Sequence, residues 1–185
     1  MEERIRDLYL KYGKEKTYFH ALDVVKTAKI LASSYGLDED VCYKAGLLHD
    51  ISVILSAQEM NDYAIKLNFE IDEAQKKHPF LLHQRFSKLI AQSYFKITDN
   101  RILSSVECHT TLKKYPSQYD CLIFLADKLA WDQEGAPPYL IGLKKAMTQS
   151  LENGCLYFIS YQLENGGIIM PHRWLMEAKK YLEGQ

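Results

Sequence analysis

The sequence predicts an all-α helical bundle, and three observations carry that prediction. Apolar residues recur at intervals of three and four along nearly the whole chain. No segment of period two is bounded by hairpin-turn residues. Capping residues and glycine or proline stops punctuate the helical runs.

The elements follow in order. Thr17 is a cap for a helix that reaches about Tyr35, where Gly36 stops it. Asp38 caps the next, which carries Val41, Ala45 and Leu48 toward His49 and Asp50. A helix near Ala57 to Leu67 is followed by a polar connection, Asp72 to His78, closed by Pro79. Leu82 to Phe95 reads as a helix, and Asp99 caps another that ends near Thr110. Lys113 to Ser117 is a loop broken by Pro116. Gln118 to Trp131 is apolar on nearly every face, which marks a central buried helix. After the loop DQEGAPP, one long helix is expected over Tyr139 to Glu164, ended by Gly166 and Gly167. Pro171 starts a last amphipathic helix.

At 185 residues the chain is read as one domain, 1–185, with its motif-bearing core at about 17–131 and C-terminal helices 139–183 packed on it. Hydrophobic residues at 47% and charged residues at 25% suit a soluble globular protein. The formal net charge of −1 argues against a general binder of nucleic acid or of membrane surfaces. No secretory leader and no apolar run of membrane length is seen, so a cytoplasmic protein is expected. Cys42, Cys108, Cys121 and Cys155 form no CxxC pair and lie in apolar stretches, which predicts buried, reduced thiols. Cys108 is singled out because it adjoins His109.

The unusual feature is a set of polar residues in apolar runs. His49 and Asp50 sit together in AGLLHDISVIL. His20 lies in TYFHALDVV, His83 in PFLLHQRF, His109 in SVECHTTL and Asp127 in LIFLADKLA. His20 shares a helix face with Val24 and Leu31, so it points inward. Lys128 is expected to face a different side from Asp127 and to be a poor partner for it. His78 and His172, beside prolines in polar stretches, read as ordinary hydrogen-bonded residues. Burying imidazoles and carboxylates is costly unless they are satisfied, and one metal ion satisfies several at once. Such a centre suits hydrolysis of phosphate esters or anhydrides. Thr110 and Thr111 are candidate donors to phosphate oxygens, or simply polar residues at a helix end.

The order H…HD…H…H…D resembles the HD-domain superfamily of metal-dependent phosphohydrolases. More narrowly, TYFHALDVVKTAKILA, AGLLHDIS, LLHQRFSKLIAQ, CHTT and IFLADK, with the tail GGIIMPHRWLMEAKKYL, resemble its YqeK-like branch. The resemblance implies a primary metal held by His20, His49, Asp50 and Asp127, with iron the usual ion and manganese the alternative. It implies that His83 and His109 either face the substrate phosphates or hold a second metal bridged by Asp50. Catalytic roles are thus expected at Asp50, His83 and His109. Substrate contacts are expected at His83, His109, Thr110, Thr111, Gln133, Pro171, His172 and Arg173. The implied reaction is symmetrical hydrolysis of diadenosine tetraphosphate to two ADP. A nucleotidase or phosphatase on a mono- or deoxynucleotide is the alternative, and a non-catalytic nucleotide sensor a second. An apolar helical surface is compatible with a homodimer.

Two positions depart from the branch. Val53 stands where the HD dyad is usually followed by a lysine, and Gln133 where an arginine is usual. Each charge-assisted phosphate contact is worth roughly 1.5–3 kcal/mol. Arg85, Lys113, Lys114, Lys128 and Arg173 are the cations placed to compensate.

Overall fold

The computed structural model describes residues 1–185 except Asp132, so the first residue of the DQEGAPP loop lies outside the described residues. Among the described residues, eleven α-helices and two 3₁₀ turns follow one another without a strand. Helix α1, Glu2–Lys11, was not anticipated; it contributes Ile5 and Tyr9 to the core. Helix α2, Glu15–Tyr35, begins before Thr17, with Lys14 at its N-cap and no side-chain capping bond, so Thr17 is not a cap. Gly36 ends it in the left-handed region at φ 67°.

Asp38 caps α3, Glu39–Leu48, by accepting from the Asp40 and Val41 amides. Helices α2 and α3 meet closely at Gly46, where a Cβ would stand 3.1 Å from Val25 Cγ2 and 3.3 Å from Val25 Cα. A 3₁₀ turn, Ile51–Ile54, leads to α4, Ala57–Lys66, which a Ser56/Glu59 capping box opens. The stretch expected to be a polar connection holds a short helix, α5, Glu73–Lys77. Asp72 and Gln75 form the capping box that starts it.

A second 3₁₀ turn, Pro79–Leu82, runs into α6, His83–Ser93. Asp99 caps α7, Asn100–Cys108, and Ser117 with Asp120 boxes α8, Gln118–Leu129. The single long helix expected over Tyr139 to Glu164 is two helices, α9, Leu140–Met147, and α10, Leu151–Glu164. Ser150 is the reason: its extended backbone breaks the run, and its side chain accepts from the Asn153 amide to restart it. Pro171 does not start the last helix. His172 caps α11, Arg173–Leu182, its side chain accepting from the Trp174 amide.

One core cluster runs from Ile5 to Leu182. Helix α8 lies inside it, with Cys121 through Ala126 wholly buried. Each large aliphatic or aromatic side chain buried there contributes roughly 1.5–3 kcal/mol, and their packing fixes where Asp127 stands one residue further on. A smaller cluster of Met60, Ala64, Leu82 and Phe86 braces the segment that presents His83. No helix among the described residues is long and apolar enough to cross a membrane.

Candidate metal centre

The six residues singled out in apolar runs converge from five helices and the turn after α3. His20 comes from α2, His49 from the C-cap of α3 and Asp50 from the turn that follows. His83 opens α6, His109 is the C-cap of α7, and Asp127 lies in the last turn of α8. His20, His49 and Asp50 offer ligand atoms within 4.8 Å of one another, and so do Asp50, His83 and His109. Asp50 belongs to both groups. Asp127 joins the first, with Oδ1 3.0 Å from His20 Nε2 and 3.6 Å from His49 Nε2.

Local structure sets the ring orientations. His49 Nδ1 donates to the Gly46 carbonyl at 2.8 Å, His83 Nδ1 to Phe80 at 2.7 Å and His109 Nδ1 to Val106 at 2.9 Å. A carbonyl only accepts, so each Nδ1 carries the proton. Each bond spans three residues at a helix end or a 3₁₀ turn, where the carbonyl lacks its full helical partner set. The Nε2 lone pairs are thereby left facing the centre, the arrangement metal-ligating histidines use. The Phe80 ring stacks on His83 at 4.6 Å between centroids and holds its plane.

The donor set fits a metal. His49 Nε2 is buried and has no hydrogen-bond partner among the described residues. It lies 3.5 Å from Asp50 Oδ2, while His83 Nε2 and His109 Nε2 each lie 3.3 Å from Asp50 Oδ1. Ligand atoms about 2.1 Å from a common ion stand about 3 to 3.5 Å apart at tetrahedral or octahedral angles. Each of the two groups would hold one ion, with Asp50 common to both.

The electrostatics agree. Burial alone would raise the Asp50 carboxyl, but His49, His109 and His83 around it hold it well below the usual carboxylate range. Burial opposes ionisation of Asp127 too, and Lys128 and His20 outweigh it, so Asp127 is also strongly depressed. Burial pushes the His109 imidazole down to about 4, against the pull of Asp50. The centre therefore presents two carboxylates and an unprotonated His109 at neutral pH.

Lys128 corrects a sequence expectation. Although successive residues of a helix stand on different faces, its long stem reaches round so that Nζ pairs with Asp127 Oδ2 and lies 3.4 Å from the His109 carbonyl. Among the five cations put forward as compensating, this one reaches the cluster. Arg85 lies 3.9 Å over the Phe69 ring, Arg173 pairs with Glu70 at 2.8 Å, and Lys113 donates to Ser104 at 2.6 Å. Lys114 is exposed.

The expected substrate contacts divide. Thr110 donates its hydroxyl to His83 Nε2 at 3.1 Å, at the edge of the centre. Thr111 is turned inward: its hydroxyl donates to the Leu112 carbonyl and accepts from Gln84. Gln84, which the sequence reading passed over, also accepts from the Thr110 and Thr111 amides and so fixes the end of α7. Gln133 is exposed in the loop after α8, and Val53 is buried in the 3₁₀ turn. His172 faces a pocket shared with Thr110, whereas Arg173 points to a separate polar hollow with Glu70 and Arg85. Pro171 joins that pocket's wall to α11. Tyr9 was also missed. It is wholly buried, its hydroxyl has no hydrogen-bond partner among the described residues, and burial, with the Asp50 charge adding, pushes its phenol well up. Cys108 is buried and its thiol is raised by burial and by Asp120, which excludes it as a thiolate near neutral pH. All four cysteines are free and buried, as expected.

Comparisons with known proteins point one way. The family model described as HD domain matches residues 17–132. A protein of Lactococcus lactis subsp. cremoris, known as an uncharacterized protein in the pepC 5' region, is 38% identical over 149 residues, 80% of this chain and 76% of its own length. The symmetrical bis(5'-nucleosyl)-tetraphosphatase of Staphylococcus aureus is 31% identical over 126 residues, 68% of this chain and 64% of its own length. A crystal structure of a predicted HD superfamily hydrolase involved in NAD metabolism, from Clostridium acetobutylicum, matches with a TM-score of 0.86 at 26% identity. That match covers 100% of this chain and 97% of the other.

Proposed function

The chain belongs to the HD-domain family of metal-dependent phosphohydrolases, and on that premise we propose that it cleaves diadenosine tetraphosphate symmetrically into two ADP. The observation that carries the reading is Asp50, a carboxylate shared by two sets of histidines. A metal held there lowers the pKa of water and draws charge from a phosphoryl oxygen. The purely N and O donor set supports iron, with manganese as the alternative.

The chain's own residues do the rest. The carbonyls of Gly46, Phe80 and Val106 keep His49, His83 and His109 in the ligating tautomer. Lys128 balances the outer oxygen of Asp127, so that Oδ1 is left for the centre. Thr110, at the edge, donates a hydrogen bond from its hydroxyl to a phosphate oxygen when substrate displaces it from His83. His83 and His109 either ligate a second ion or orient the phosphate about to leave. Buried, reduced thiols support a cytoplasmic setting.

The test is to purify the protein without added metal, quantify its ions and resolve the products formed from diadenosine tetraphosphate. Bound iron or manganese with ADP as sole product is expected. Inorganic phosphate from mononucleotides, with the dinucleotide intact, overturns the substrate. Bound metal with no product from either makes the protein a sensor.

A further inference from the structure

A hollow of about 800 Å³ lies between α2 and α9. Thr27, Leu31 and Tyr35 of α2 form one wall, and Leu140, Lys144 and Met147 of α9 form the other. Leu129 and Trp131 reach it from the end of α8 and just beyond. None of the six candidate metal ligands lines it. Thr27 and Leu31 stand seven and eleven residues beyond His20, about 10 to 17 Å further along the helix. The volume falls within the roughly 300–1,000 Å³ usual for ligand pockets. The Tyr35 hydroxyl donates to the Met147 carbonyl at 2.5 Å and ties the two walls together, so the hollow is formed before anything enters it.

The polar groups of the lining decide what can enter. The Thr27 hydroxyl donates to the Asp23 carbonyl at 3.0 Å, Ser34 to Ile30 at 2.9 Å and Thr148 to Lys145 at 2.8 Å. With the Tyr35 bond, every hydroxyl of the lining is engaged within the protein. Two side-chain donors remain. Lys144 Nζ makes no hydrogen bond or ion pair among the described residues. The buried Trp131 Nε1 has no hydrogen-bond partner among them either. No carboxylate of the described residues lines the hollow. The rest of the wall is largely apolar, with Ile30 60% exposed.

We propose that this hollow is a second ligand site, for a small amphiphile of the fatty-acid class, whose carboxylate pairs with Lys144 while its apolar body covers the walls. A lone ammonium without a counter-charge calls for one negative charge, and apolar walls call for a body that leaves water readily. A nucleotide fits poorly, because several phosphate charges would meet one lysine. A second copy of the chain fits poorly as well. A two-fold interface brings the same patch from both subunits together, and would set two unpaired Lys144 side chains against each other.

Fluorescence titration with two probes of one skeleton tests the site. Anilinonaphthalene sulfonate is an anion, and phenylnaphthylamine has the same rings without the charge. The anion is expected to bind about five- to tenfold tighter, the increment of one partly exposed charge-assisted contact. Lys144→Met should remove that advantage and leave the neutral probe unchanged. Ile30→Asp should weaken both probes, the anion by about tenfold or more. Dodecanoate below its micellar range should displace the anionic probe, ADP should not, and chelation of metal should change none of these affinities. Equal affinity for the two probes overturns the proposal, as does an unchanged anion advantage in Lys144→Met or a failure of dodecanoate to compete. Displacement by ADP, or loss of binding on chelation, would place the probe at the metal centre and overturn it too. Binding of neither probe also overturns it; if that protein is a dimer that Ile30→Asp dissociates, the occupant is a second copy of the chain.

Discussion

The Nε2 atoms of His83 and His109 lie 3.0 Å apart, and each is 3.3 Å from the same Asp50 oxygen. Both rings carry their protons on Nδ1, so two lone pairs face each other across that gap. Only a cation between them, a proton or a metal ion, turns this contact from repulsive to attractive.

Metal should therefore stabilise the fold. A ligand at one hundred times its dissociation constant adds about 2.7 kcal/mol, which for a chain of this size is about 5–10 °C in Tm. Thermal denaturation with manganese and after chelation measures it. A shift below about 1 °C would remove the centre from the account.

Asp50→Ala removes the shared carboxylate and should abolish both metal retention and turnover. His109→Ala should lower turnover by roughly 10²- to 10³-fold while one ion stays with His20, His49, Asp50 and Asp127. Elemental analysis of the two variants separates these outcomes. Loss of all metal from His109→Ala would show that the two groups of ligands do not act separately.

Lys128→Met leaves the outer oxygen of Asp127 without its partner in a site where both side chains are 16% exposed. The metal-free protein should lose about 2 kcal/mol, read by denaturant unfolding. With metal bound the loss should be smaller, because the ion shares the charge. Equal losses with and without metal would mean that Lys128 serves packing rather than charge balance.

Alkaline pH should weaken the fold through its thiols. Burial, with Asp38 and Glu39 nearby, pushes Cys42 from an ordinary 9.0 up to about 12, and burial raises Cys108 and Cys155 as well. Between those values the folded protein keeps protons that the unfolded chain releases, so stability present below pH 9 is lost as pH rises toward 12. Denaturant titrations from pH 8 to about 10.5 should show the decline, shallower in Cys42→Ala. At pH 8 a thiol reagent should label none of the four cysteines until the protein is unfolded; rapid native labelling of Cys42 would contradict its burial.

The candidate ligands were legible because each is a polar residue set in an apolar run, a conflict only a shared partner resolves. The caps at Asp38 and Asp99 were legible for the opposite reason, since their bonds are local. What escaped the sequence depends on reach and on tertiary contact. Lys128 was misjudged because backbone direction does not say where a four-carbon stem ends. Gln84 reads as a surface amide until α7 is placed against α6. The break at Ser150 was hidden because apolar spacing continues across it. Helix α1 was passed over because its helical signal is mostly charged surface, with Ile5 and Tyr9 its buried contacts.

Gly46 holds two coordinates of the centre at once. Its missing side chain sets how near α3 lies to α2, and hence the gap between His49 and His20, while its carbonyl sets the rotation of the His49 ring. The spacing of the His20 and His49 rings is thus written into a backbone position outside the cluster. A single methyl group there would press α3 away from α2 and His49 away from His20, with every candidate ligand still in the chain. The geometry of the candidate centre rests on helix spacing as much as on donor identity.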